Sequence, residues 1–176
     1  MSREKLLERI EGKREELTDL TCELVRIPTV NPPGDAYTDC ARFLGTRLEK
    51  NGFEVGYHRA EGTPGYNDRY PRTNLVARLE GQASGPCVHF NGHLDVVVAG
   101  KGWTEDPFGA VVKEGRIYGR GTCDMKGGIA AAIIAMESLL EEGIFFPGSL
   151  EFSGTVDEET GGYGGVAYLA HQGFFS

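Results

Sequence analysis

The sequence is short of the features that would place it in several large classes. It has 4 cysteines in 176 residues, Cys22, Cys40, Cys87 and Cys123, and no two form a Cys-x-x-Cys pair. That argues against a zinc ribbon or a thioredoxin-type redox motif. A disulfide framework is not expected at this size and density; free buried thiols in a reducing compartment are. Long apolar runs are missing. The longest, Ile129–Met136, has 8 residues, far short of the roughly 20 that span a bilayer. The opening stretch MSREKLLERIEGK holds no uncharged apolar segment, so a signal peptide is not expected and a cytoplasmic location is. Positive charge is in deficit, with 18 Lys and Arg against 26 Asp and Glu and a net charge of −8. Such a chain, lacking a basic cluster, is a poor partner for nucleic acid or an anionic membrane, and neither is expected. The sequence also lacks repeats, low-complexity tracts and a linker.

What is present describes a soluble globular domain: 40% hydrophobic and 25% charged residues, in a length that suits one domain and can bury a core without staples. The 26 glycines fall in clusters such as Gly119/Gly121, Gly127/Gly128 and Gly161/Gly162. Clusters of this kind mark tight turns and close backbone approach.

Periodicity gives the elements. Leu6, Ile10, Leu17, Leu20, Leu24 and Ile27 form one stripe and predict a helix over 3–26, stopped by Pro28. A second helix is expected over 36–50, closed by Asn51-Gly52. Strands are expected at 53–58, 74–79 and 87–91, and a hairpin at 111–113 and 116–118 around Glu114-Gly115. The helix expected over 126–142 is apolar almost all round and should be buried. A strand at 149–155 and a short helix at 164–172 follow. The run strand 87–91, helix 126–142, strand 149–155 reads as a crossover between parallel strands. The fold class is therefore α/β, with helices on both faces of a mixed sheet.

Three chemistry-bearing stretches each follow a strand or hairpin: Val88-His-Phe-Asn-Gly-His-Leu-Asp-Val-Val97, Tyr118-Gly-Arg-Gly-Thr-Cys-Asp-Met-Lys-Gly-Gly128 and Thr155-Val-Asp-Glu-Glu-Thr-Gly-Gly162. Ligands of open α/β sheets gather at the carboxyl ends of strands, so these stretches can converge there. His93, Asp124, Glu158 and Glu159 offer one imidazole and three carboxylates, a donor set for a hard or borderline metal. His93 and Asp95 are two apart and share a strand face, where a carboxylate can take the other ring N–H. Glu158 and Glu159 are adjacent and must diverge, so one can bind metal while the other moves protons. Each residue has an ordinary alternative. Asp124, Glu158 and Glu159 could be acidic helix starts, and His93 a packed turn histidine. Cys123 and Lys126 read as a small buried residue and as a helix start or local counter-charge. His58, His89 and His171 carry no motif. Taken together, four ionisable groups at strand ends among glycines point to a metal site.

The stretches GHLDVV, GRGTCDMKGG and TVDEETGG, in this order, resemble the signatures of the M20 family of metallopeptidases and deacylases, which includes acetylornithine deacetylase and succinyl-diaminopimelate desuccinylase. The resemblance runs over almost the whole chain and takes in Gly102-Trp-Thr-Glu-Asp-Pro-Phe-Gly109. Asp124 follows His93 by 31 residues and Glu159 follows Asp124 by 35. Val96-Val-Val-Ala-Gly100 lacks a proline that many relatives have.

The resemblance implies a three-layer α/β/α sandwich on a mixed, mostly parallel sheet, incomplete at the C-terminus. It implies two divalent metal ions, zinc by default, with cobalt or manganese also fitting. His93 would bind one ion, Asp124 bridge both and Glu159 bind the other. Asp95 would orient His93, and Glu158 would be the general base. Asp124–Met125 is expected to be cis. The reaction implied is hydrolysis of the amide of an N-acylated amino acid by a metal-activated water. It also implies that residues 1–176 are the N-terminal portion of a catalytic domain. A further acidic ligand, an inserted dimerisation domain and a final ligand histidine would lie outside them, and the full-length form would be a homodimer. The alternative is a non-catalytic remnant or fragment that needs a second polypeptide to complete the site.

Overall fold

The computed structural model describes residues 3–175. Two helices, α1 (Arg3–Gly12) and α2 (Arg14–Arg26), stand where one was expected. The break is at Lys13, whose ψ of 17° leaves the helical range. Gly12 before it is a weak helix former, and the Lys13 ammonium is drawn to Glu16 and Glu141. Helix α3 (Tyr37–Lys50) buries Cys40, Ala41, Leu44 and Leu48.

Four strands form the main sheet: β1 (Glu54–Arg59), β2 (Thr73–Glu80), β3 (Ala83–His93) and a later strand, β6 (Pro147–Thr155), in the order β1-β2-β6-β3. Between β3 and β6 come the hairpin β4 (Val111–Lys113) and β5 (Arg116–Tyr118) and helix α4 (Gly127–Glu141). Glu114 and Gly115 both have positive φ, as a tight two-residue hairpin turn requires. The sheet is mixed. The crossover through α4 does place β3 parallel to β6, whereas β1–β2 and β2–β6 are antiparallel, so parallel pairing is confined to one of these three contacts.

Alternation along the strands sets the layers. Leu75 and Ala77 of β2 pair with Gly154 and Phe152 of β6, and Phe152 pairs with Phe90 of β3. Leu75, Ala77 and Phe152 form the core with Leu44 and Leu48 of α3 and Ile129, Ile133 and Met136 of α4, and Phe90 packs against it. At Gly92 a Cβ would sit 2.6 Å from Ile129, so glycine there lets α4 start close against the end of β3. After β6 the chain continues into α5 (Val166–His171), and its tail crosses the other face. Phe174 meets His58 there, and Phe175 stacks on His89. Cys22 and Cys40 are buried, but Cys87 and Cys123 are exposed, so the expectation of buried thiols holds for two of the four; all four are free. Among the described residues no helix is long and apolar enough to cross a membrane.

Candidate active site

Strands β3 and β6 run parallel and in register to their ends, where His93 lies opposite Thr155. The first and third motif stretches therefore leave the sheet at the same end, and the second, which follows β5 of the separate hairpin, reaches them where Asp124 meets His93. His93 is 6% exposed, and its ring is gripped at both nitrogens. Nδ1 lies 3.0 Å from the backbone carbonyl of Asp95. A carbonyl only accepts, so Nδ1 carries the proton. Nε2 then points at Asp124, 2.9 Å from Oδ1. The Glu158 carboxylate is 4.0 Å from the same nitrogen.

Asp95 meets His93, as the sequence suggested, but through its backbone carbonyl and not its carboxylate. Its carboxylate is 3.7 Å from His93 Nδ1, while its carbonyl takes the ring N–H. The fully buried carboxylate instead accepts the amides of Glu158 (3.2 Å) and Glu159 (3.1 Å) and the side-chain amide of Asn31 (2.9 Å). It thus fixes the backbone that carries both glutamates. Asn31 Nδ2 also donates to Thr160 at the end of that turn.

Asp124 sits in the irregular turn Thr122–Lys126, with non-helical φ and ψ and a cis bond to Met125. Lys126, two residues on, is fully buried, and its ammonium donates to the carbonyls of Leu24 (2.9 Å) and Ile27 (2.6 Å) at the end of α2. Burial pushes its pKa down to about 8, with Asp95 and Cys40 opposing. Its partners are carbonyl dipoles at a helix C-terminus, a favourable place for a cation.

The turn Glu158–Thr160 is entered through Asp157, which has φ 62°. Asp157 points inward to Arg72 Nε (3.0 Å) and the Tyr37 hydroxyl (3.1 Å). Glu158 is exposed and Glu159 half-buried. Among the described residues no three His, Cys, Asp or Glu side chains close into a group able to hold an ion. His93 and Asp124 meet. Glu159 shares their field without joining them.

That field is unbalanced. Burial raises the Glu159 pKa, and Asp124, Asp95 and Glu158 raise it further, against an opposing pull from His93. Burial lowers that of His93, but the hydrogen bonds to Asp124 and to the Asp95 carbonyl, with the charges of Asp95 and Glu158, raise it overall. The pair His93–Asp124 needs a cation between its two acceptors, either a proton on Nε2 or a metal ion. An imidazole nitrogen with a free lone pair faces a carboxylate oxygen here, and both are donor types that divalent ions accept. The donors present therefore fit a divalent metal.

Sequence reading missed Asn31, Tyr37, Arg72 and Asp157. Asn31 lies between the first two expected helices, outside the three motif stretches, and the contacts of the other three span 85 and 120 residues, beyond any local motif.

Residues 89–175 match the family model described as peptidase family M20/M25/M40. An N-formyl-4-amino-5-aminomethyl-2-methylpyrimidine deformylase of Halalkalibacterium halodurans is 38% identical over 163 residues, covering 90% of this chain and 36% of that protein. A succinyl-diaminopimelate desuccinylase of Methylobacterium radiotolerans is 40% identical over 156 residues, covering 85% of this chain and 36% of that protein. The chain thus spans about a third of the length of these relatives. Human carnosine dipeptidase 1 superposes with a TM-score of 0.82 over 96% of this chain and 37% of its own, at 24% identity, a likeness of fold. Motif order, strand-end geometry and these similarities agree: the chain belongs to the M20/M25/M40 peptidase family.

Proposed function

We propose that this chain carries part of the site of a two-metal amidohydrolase whose full-length form hydrolyses the amide bond of an N-acylated amino acid, of deacetylase or desuccinylase type. The observation that carries the reading is the pair His93 Nε2 and Asp124 Oδ1, 2.9 Å apart, with Nδ1 already committed to the Asp95 carbonyl. An imidazole held in that tautomer offers its free lone pair to a metal. The similarity to a desuccinylase and a deformylase, both named for removing acyl groups, supports the substrate class.

In this reading His93 and Asp124 hold one ion, and Asp124 with Glu159 the other. Zinc suits the set best, and cobalt or manganese also fit. Divalent ions bound there lower the pKa of a water and polarise an acyl carbonyl. Glu158, exposed beside His93 Nε2, takes the proton from water and returns it to the leaving amine. Asp95 keeps Glu158 and Glu159 pointing apart by holding their amides. The products are a carboxylate and an amine. Working zinc sites usually hold three protein donors per ion. The others are assigned to chain beyond these residues, in cis or from a second polypeptide, in a protein read as a cytoplasmic homodimer.

Two samples test this: the 176-residue chain and a chain extended to its relatives' length. Each is titrated with zinc and cobalt and assayed on N-acetyl, N-succinyl and N-formyl amino acids. The extended chain should bind two ions and hydrolyse at least one substrate class; the short chain should bind weakly and turn over nothing. Full activity from the short chain would show that the site composition is wrong. An extended chain holding both ions but inert on all three would overturn the substrate class.

A further inference from the structure

We propose that Arg72 is a positioning residue for Glu158 and Glu159, acting through Asp157. The inference rests on the roles given to those glutamates above, but its geometry stands apart from any metal. Arg72 is 4% exposed, Asp157 3% and Tyr37 1%, so water cannot take the place of any partner in the group. Arg72 Nε donates to Asp157 Oδ2 at 3.0 Å, and Nη1 donates to the carbonyls of Pro33 (2.8 Å) and Tyr70 (2.9 Å). The Tyr37 hydroxyl donates to Asp157 Oδ1, and its ring lies 5.7 Å from the guanidinium. One side chain thus ties together three chain segments far apart in sequence.

The surroundings are shaped for this pair. A Cβ at Gly34 would come 2.6 Å from Arg72 Nη1, and one at Gly65 2.4 Å from Nη2. A Cβ at Gly164 would come 2.5 Å from Asp157 Oδ2 and 2.7 Å from Arg72 Cγ. Three glycines from three segments wall the ion pair, and any larger residue would press on it.

What the pair holds is the entry to the Glu158–Thr160 turn. Asp157 sits in the left-handed region, which a non-glycine residue keeps only when its surroundings enforce it. With its carboxylate turned inward, Asp157 fixes the backbone from which the exposed Glu158 and the half-buried Glu159 follow. On the far side Asp95 accepts the amides of Glu158 and Glu159, and Asn31 Nδ2 donates to the Thr160 hydroxyl oxygen. Asn31 belongs to the loop whose Pro33 carbonyl Arg72 also holds, so Arg72 braces both clamps. Removing one partner of a buried, hydrogen-bonded ion pair strands the other, and here the stranded group adjoins both glutamates.

The test uses the 176-residue chain, with Co(II) alone as the metal probe and amide hydrogen exchange as a metal-free readout. Variants are Arg72→Gln, the gentler Tyr37→Phe and a control, Arg47→Gln, which breaks the Arg47–Glu137 pair elsewhere. Arg72→Gln should speed exchange at the Glu158 and Glu159 amides about tenfold beyond any change in β2 and β6. It should also weaken Co(II) binding about 10- to 100-fold, as loss of outer support to metal ligands does. Tyr37→Phe should move both in the same direction by about two- to fivefold and decides the matter if Arg72→Gln does not fold. Arg47→Gln should leave the two amides in step with the sheet. Exchange that rises evenly over the sheet in Arg72→Gln, or in Tyr37→Phe where that variant decides, would overturn the proposal. If the short chain and its variants take up no measurable Co(II), the exchange comparison alone decides the role of Arg72, and the metal reading is decided separately by the extended chain.

Discussion

The backbone carbonyl of Asp95 takes the ring N–H of His93 at 3.0 Å, and its carboxylate stands off at 3.7 Å. One residue thus does two jobs with two groups. The carbonyl sets the imidazole tautomer, and the carboxylate anchors the turn that bears Glu158 and Glu159.

That division predicts the behaviour of Asp95→Asn. The carboxylate accepts from three donors, and an amide NH₂ would face at least one of them. The expected cost is about 1–3 kcal/mol in a urea or thermal melt. The His93 Nδ1–H resonance should persist in NMR spectra, because the carbonyl remains. Loss of that resonance with unchanged stability would show that the carboxylate orients the ring after all.

Adjacent glutamates should separate on substitution in the extended, metal-loaded protein. Glu158→Gln should cut kcat by roughly 10²–10⁴ and keep the metal. Glu159→Gln should lose metal, read by elemental analysis after dialysis. The opposite pattern would exchange the two assignments.

Lys126→Met probes the brace between the Asp124 turn and α2. The carbonyls of Leu24 and Ile27 lose their ammonium donor, while the burial cost of the charge disappears with it. The lost donor should win, and destabilisation of about 1–3 kcal/mol is expected. A variant that melted higher than its parent would mean that burying the charge costs more than it returns.

A smaller effect is expected at Glu141, which accepts from Lys13 (2.7 Å) and Arg9 (2.9 Å) and ties the α1–α2 junction to the end of α4. The Lys13 hydrogen bond, then the nearby charges and Arg9, hold its carboxyl below the usual range, with burial opposing. A lowered folded pKa contributes stability above the unfolded value, lost as pH falls through the folded one. The Glu141 side chain is 40% exposed and water screens it, so Glu141→Gln should cost only about 0.5 kcal/mol at neutral pH. Parent and variant should converge as the pH falls through the lowered folded value. A gap that widened on acidification would refute the assignment.

Local sequence signals carried much of the fold. Glu114-Gly115 placed β4 and β5, and the apolar run at 129–136 marked α4. They failed where the cause was distant or subtle. The stripe from Leu6 to Ile27 runs through Gly12 without a visible fault, yet the helix breaks at Lys13. Strand β3 begins at Ala83, upstream of Pro86, and an edge strand tolerates a proline that the pattern discounts. At the site, His93, Asp95, Asp124, Glu158 and Glu159 stood out because each ends a strand or turn. Their supports did not, since Arg72 and Tyr37 belong to Asp157 only once the chain has folded.

The two buried cations beside the site, Arg72 and Lys126, are both already committed: one to Asp157, the other to carbonyl dipoles. Neither offsets the charge of Asp124, Glu158 and Glu159. Under the metal reading, this excess of carboxylates at the mouth of the site should draw small cations inward before any bond forms. Capture of a divalent ion should accordingly slow as ionic strength rises, because the Debye length contracts to about 8 Å near physiological salt.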